Sequence, residues 1–299
     1  FKLSDDARLG AVNTAETTRQ HPGTRKRRRR GISPWLPNQH GAWAMLISPA
    51  VVGTIAAVVH FVRADAPARA LVVLLAVLVA WFFGYGAFFA FGLTAKARTR
   101  ERRRQYVTPV YVYGAVAGVA GLLALMLQPQ LAWWALFFGP LIAVACVETL
   151  LGRPRSTLSG VSTTIASALL VPVLVQVGAH GTLGEVPRTA WLGTVVLAMF
   201  FSGAVTYVKS MIREKGNRRY IAASIGYHAA ALLVTVALIA WLRPVWAAGV
   251  LLTAAMVWAL ARSWWFPHRA AGGEKFTPKQ VGLRENPPLL LACVGALCA

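Results

Sequence analysis

The chain has 299 residues, 57% of them hydrophobic and 14% charged, with a mean hydropathy of +0.54. That balance leaves too little polar surface for a water-soluble globule, so lipid is the solvent for most of the sequence. A net charge of +21, from 31 Lys and Arg against 10 Asp and Glu, would fit a nucleic-acid partner, but the basic residues fall between the apolar stretches and not within them.

In chain order, residues 1–34 read as a basic, disordered cytoplasmic tail. The segment is polar, ends in Arg25, Lys26, Arg27, Arg28, Arg29 and Arg30, and cannot bury enough apolar surface to fold. It lacks the apolar core and cleavage site of a secretory signal, and Phe1 in place of an initiator methionine is expected of a fragment. Residues 35–299 read as one polytopic transmembrane helical domain. Its predicted spans are Ala42–Val62, Ala70–Phe91, Val107–Leu127, Leu131–Leu150, Ser159–Ala179, Thr189–Val208, Ile221–Leu242 and Val245–Trp265, each close to the roughly twenty residues that cross a bilayer core of about 30 Å as a helix. Pro287–Ala299 is shorter, either a ninth helix cut off or an interfacial end piece. The fold class is therefore all-α, an integral membrane bundle of eight to nine helices.

With the tail inside, every Lys and Arg falls on the cytoplasmic side except Arg63, Arg69, Arg188 and Arg243, as the positive-inside bias requires. Trp35, Trp43, Trp241, Trp246, Trp264 and Trp265 sit near span ends, where indole rings prefer the headgroup region. Cys146, Cys293 and Cys298 lie in apolar stretches with neither metal-ligand nor disulfide spacing, and read as packing residues. The basic tail is expected to touch anionic lipid headgroups; no nucleic-acid partner is expected.

The segment after the second span, Lys96 to Tyr106, echoes the one after the sixth, Lys209 to Tyr220. Each holds Arg-Glu, then basic residues, then Tyr. Two parallel four-helix repeats explain the echo, and convergence under the positive-inside bias explains it nearly as well.

The sharpest motif is Leu36-Pro37-Asn38-Gln39-His40-Gly41-Ala42-Trp43-Ala44-Met45-Leu46. On this Pro-x-Gln-His-Gly-Ala-Trp start, and on Ile212-Arg213-Glu214 and Gly282-Leu283-Arg284-Glu285, the sequence resembles the YwiC-like family of bacterial membrane proteins. The resemblance implies a multi-pass protein of the bacterial cell (inner) membrane and brings no established activity. More distantly, Pro37, Gly41, Trp43, Leu46 and Pro49 resemble the first helix of UbiA-type intramembrane prenyltransferases. Those enzymes place two Asp-rich loops after the second and sixth helices to hold Mg²⁺ on an isoprenyl diphosphate.

Here the aspartates are Asp5, Asp6 and Asp65, none in either segment, so no metal site is expected. Arg98, Arg100, Lys209 and Arg213 stand there instead, with Glu101 and Glu214. Guanidinium and ammonium groups bind phosphate oxygens directly, so these segments could form a metal-free site for an isoprenoid or other lipid phosphate. Topology and headgroup contact explain the same charges.

Glu148, in the fourth span, and His228, in the seventh, are candidates for proton handling; pairing of Glu148 with Arg153 or Arg155 and packing of His228 are the structural alternatives. His40, Gln39 and Trp43 stand where the chain enters the membrane and could line a cytoplasm-facing cavity. Tyr85 and Tyr207 hold comparable places above the two charged segments. Three classes stay open: a prenyltransferase-like enzyme, a carrier or permease for an anionic solute, and a scaffold for another complex. A carrier predicts polar residues deep in the helices, of which Gln176 is the main example. Substrate, cofactor and oligomeric state are not legible.

Overall fold

The computed structural model describes residues 33–37, 40–63, 68–179 and 181–299, the side chains of residues 40 and 60–63 excepted. The expected tail, Ser33 and Pro34 apart, lies outside the described residues, as do Asn38, Gln39 and the His40 side chain.

Within the described residues the secondary structure is helical, with no strand. The helices are α1 (His40–Arg63), α2 (Ala68–Ala95), α3 (Arg100–Leu127), α4 (Ala135–Leu150), α5 (Thr157–Ala168), α6 (Leu170–Ala179), α7 (Arg188–Ile212), α8 (Arg218–Leu242), α9 (Trp246–Ala271), α10 (Pro278–Leu283) and α11 (Asn286–Cys298). Eight segments are long and apolar enough to cross a membrane. Each predicted span falls within one of them or overruns its ends by at most three residues: α4 is led in by a 3₁₀ turn over Pro129–Trp134, and α5 and α6 together make one crossing. Leu122, Met126, Leu136 and Leu233 are exposed on the outside of the bundle, where hydrocarbon replaces water as their environment.

The connections are more helical than the charge runs predict. Arg, Glu and Gln are good helix formers, and Thr99 caps the start of α3 by accepting from the Arg102 amide at 3.3 Å. The basic run after the second span is therefore the first turns of α3. Asn217 caps α8 through the Tyr220 amide, after Gly216 turns the chain at φ +82°.

Pro49 interrupts α1. A proline has no amide hydrogen, so the Met45 carbonyl loses its helical donor; the Ser167 hydroxyl on α5 donates to it instead. On the very next residue the Trp81 indole donates to the Leu46 carbonyl at 3.1 Å, tying α2 to the same place. Further along, α1 and α6 approach backbone to backbone. A Cβ on Gly178 would stand 2.7 Å from Ala57 Cα, and one on Gly53 would stand 3.1 Å from Val171 Cα. Small residues at such crossings replace the hydrophobic drive that lipid does not supply. The α5–α6 crossing is the most buried of the eight and α3 the least.

The last apolar stretch is α11, 13 residues long and so about 20 Å at 1.5 Å per residue. It runs antiparallel along α9 and against α7: Gly295 faces Leu252, and Ala296 faces Gly193. Its start therefore lies inside the bundle. The segment before it, with α10 closed by the reciprocal Thr277–Gln280 cap, folds back to bring Val281 against Tyr207 and Met211.

Gly178→Ala should lower stability in detergent by about 1–3 kcal/mol, because backbone must move to admit the methyl. Gly118→Ala, on a lipid-facing part of α3 with open space around it, should leave it unchanged or raise it by up to about 1 kcal/mol. Thermal unfolding of the two variants beside the parent checks both.

Candidate functional site

Three connecting segments meet at one end of the bundle, here called the basic end. Lys96 follows α2, Arg155 precedes α5, and Arg213 follows α7. Arg213 Nη1 donates to the Arg155 carbonyl at 3.1 Å. Lys209 Nζ donates to Thr157 Oγ1 at 2.9 Å, sits 5.4 Å from the centre of the Tyr220 ring, and shares Thr157 with the Tyr220 hydroxyl at 3.3 Å. Lys96 is held below the usual lysine range by partial burial first, then by the charges of Arg155 and Arg213. Arg213 is lowered likewise, by burial and then by Arg155. The segments after the second, fourth and sixth spans thus share one electrostatic neighbourhood.

None of these four cations pairs with a carboxylate among the described residues, whose ion pairs are Arg262–Glu285 and Arg269–Glu274. Glu214 accepts instead from the Asn217 side-chain amide at 2.8 Å. Arg98 and Arg100 are exposed at the start of the α3 segment. A divalent-cation site does not fit these residues: the donors are cationic, and no group of three or more His, Cys, Asp or Glu is placed for a metal among the described residues.

Below the basic end lies an apolar cavity of about 440 Å³, walled by α2 to α6 and including Gly84, Tyr85, Phe88, Phe138, Thr163 and Leu170. Thr163 is six residues along α5 from Thr157, about 9 Å on the helix axis. Phe88 is eight residues before Lys96 on α2, about 12 Å. The Trp43 ring meets the Tyr85 ring edge-on at 6.4 Å, and its indole donates to the Pro37 carbonyl at 2.9 Å. The entry motif therefore borders the cavity through Trp43.

Residues 36–175 match the family described as YwiC-like protein. Over that segment, a little under half of its length, the chain is similar to that family. It is 25% identical over 193 residues to "Uncharacterized protein YwiC" of Bacillus subtilis (strain 168), covering 64% of this chain and 73% of that protein. It is 26% identical over 205 residues to an "Uncharacterized protein" of Haemophilus influenzae, covering 67% of this chain and 77% of that protein. No solved structure matches it. The YwiC-like segment contains the entry motif, every residue lining the cavity, Lys96 and Arg155; Lys209 and Arg213 lie beyond it.

The remaining candidates are dispersed. Glu148 is half-buried near the end of α4 and makes no ion pair among the described residues. Gln176 is buried and fully engaged: it accepts from the Trp134 indole at 2.6 Å and donates to the Gly181 carbonyl at 3.1 Å, which makes it a brace. His228 on α8 is buried with Nδ1 2.7 Å from the Ser224 carbonyl, and its Nε2 side fills the space left by Gly203, where a Cβ would stand 2.8 Å away. Tyr207 is fully buried in another environment from Tyr85, with the Arg262 guanidinium 5.0 Å from its ring centre.

Arg262 corrects the expectation that cations avoid the spans. It lies within α9, nine residues or about 13 Å along the helix before its end, is 2% exposed, and pairs with Glu285, which immediately precedes α11. A lone Arg inside an apolar run was the signal for it, and the Gly282–Glu285 motif the signal for its partner.

Arg262→Ala should cost about 3–5 kcal/mol by leaving Glu285 buried without its countercharge. Adding Glu285→Ala should recover part of that loss, so that unfolding of the single and double variants in detergent gives a non-additive cycle.

Proposed function

We propose that this multi-pass membrane protein binds a lipid phosphate, isoprenoid or other, at the basic end of its bundle. The headgroup sits on Lys96, Arg155, Lys209 and Arg213, with Arg98 and Arg100 extending the basic rim, and the hydrocarbon chain enters the cavity bordered by Trp43 and Tyr85. The observation that carries the reading is a cluster of cations from three segments with no carboxylate paired to it, placed over an apolar cavity. Like charges held together raise the free energy of the empty site, and a phosphate relieves it through charge-assisted hydrogen bonds.

On this reading the protein lies in the bacterial inner membrane with the basic end and the tail cytoplasmic, the side that the basic bias selects. The tail of residues 1–34 lies against anionic headgroups. Should transfer chemistry accompany binding, Glu148 is the acid–base candidate on this side of the bundle, through α4 and its connection to Arg155; His228 and Tyr207 belong to the interior of α7 to α9. The full engagement of Gln176 weighs against a midplane carrier site.

Native mass spectrometry of the gently extracted protein tests the binding. The parent should retain a discrete lipid-phosphate adduct. Lys209→Ala with Arg213→Ala should reduce it about tenfold or more, from the loss of charge-assisted hydrogen bonds, and Gly84→Leu, which fills the cavity, should do the same. An adduct absent from the parent, or kept equally by all three proteins, rules the site out.

A further inference from the structure

A second polar cluster lies deeper, where α7, α8, α9 and the start of α11 converge. Arg262 from α9 contacts Glu285, with Phe200 and Tyr207 of α7 at its faces, 5.1 and 5.0 Å from the ring centres. Arg284 lies between the rings of Phe266 and Phe276, at 4.2 and 4.8 Å. From α8, His228 feels the Arg262 charge. Tyr207 is close enough to feel Glu285, Arg262 and Arg284 together.

The charges of the cluster do not cancel: it holds two guanidiniums and one carboxylate, and the carboxylate pairs with Arg262 alone. The hydrogen bonds do not close either. Arg262 Nη1 and Glu285 Oε2 meet each other, but Arg262 Nε and Nη2, Arg284 Nη1, Tyr207 Oη, His228 Nε2 and Glu285 Oε1 are buried without a hydrogen-bond partner among the described residues. The Arg262 side chain is 1% exposed and that of Glu285 13%. Buried polar groups are rarely left so, and intramembrane ions without full compensation mark functional sites.

Glu285 is the group that can change. Burial pushes its carboxyl up and the Arg262 guanidinium pulls it part of the way back. Beside the two guanidiniums, the other titratable groups of the cluster, Tyr207 and His228, carry no negative charge to replace it near neutral pH. Protonation of Glu285 would leave the buried Arg262 guanidinium without its countercharge, with Arg284 the second cation of the cluster.

We propose that Arg262 and Arg284 form an interior site for a small carboxylate anion, held by the chain's own Glu285 until that residue takes up a proton. One proton on a Glu285 oxygen and one carboxylate entering leave the net charge of the cluster unchanged, so the two events are coupled one to one. A planar guanidinium fork matches a carboxylate geometrically. The ligand class follows from the residue that holds its place. This site goes beyond the lipid-phosphate reading and uses none of its residues.

Isothermal titration of the detergent-purified chain with acetate, at about pH 5.5 and about pH 7.5 in buffers of different ionisation enthalpy, tests it. Affinity should fall with pH by up to about tenfold per unit, with about one proton taken up per acetate bound. Glu285→Gln, a neutral isostere, should bind acetate equally at both pH values and more tightly than the parent at the higher one. Arg262→Gln should lose binding, and Lys209→Ala with Arg213→Ala should keep it. No acetate binding by the parent at the lower pH, binding without proton uptake, or a Glu285→Gln variant no better than the parent at the higher pH overturns the proposal and leaves the pair a structural clasp. Should Arg262→Gln fail to fold, the Glu285→Gln comparison decides alone.

Discussion

In hydrocarbon a backbone carbonyl without an amide partner has no water to turn to, and Pro49 creates one such carbonyl at Met45. The Ser167 hydroxyl that satisfies it fixes the depth at which α1 meets α5. From that point the arrangement propagates. Trp81 on the neighbouring Leu46 carbonyl sets α2, the Gly53 and Gly178 contacts continue the same interface along α6, and the α5–α6 crossing becomes the most enclosed of the eight. The cavity wall on α5 and α6 and the end of α5 that meets Lys209 are both positioned by this junction.

The spans were legible because length and hydropathy suffice to read a helix in lipid: all eight predicted crossings coincide with observed helices. Less visible was the continuation of helix through basic runs, since charge marks the end of a span and not the end of a helix. Thr99 is the residue that could have told the difference. Of the candidate site, Trp43 beside Tyr85, and Lys209 near Arg213 at one end, follow the sequence pattern. The inclusion of Lys96 and Arg155 depends on which connections converge, which no spacing reveals. Arg262 was hidden by averaging: one cation scarcely alters the hydropathy of a 26-residue helix, and its partner is 23 positions away across a connection and a short helix.

The two polar regions answer the cost of charge in a bilayer differently. At the basic end, Lys96, Arg155 and Arg213 are exposed and Lys209 half-buried, so water and dissolved ions screen their repulsion. In the interior, Arg262 has aromatic faces and one carboxylate instead. Attraction of a guanidinium to a ring is worth about 2 kcal/mol or more when desolvated, short of the several kcal/mol that burying the ion costs. The interior cluster is therefore under electrostatic load, and α11, which Glu285 immediately precedes, is the element that bears it.

Helices α2 and α3 pack on each other more extensively than on any other part of the bundle, with Gly86 seated on the Tyr113 ring. They form a leaf whose free tip carries Lys96, while one of its faces walls the cavity. Any guest that spreads the leaf at its middle also swings that tip relative to Arg155 and Arg213. For the lipid phosphate proposed above, the girth of the tail and the spacing of the charges above it would thereby be read by a single lever, so that selectivity for the tail and grip on the head could not be tuned apart.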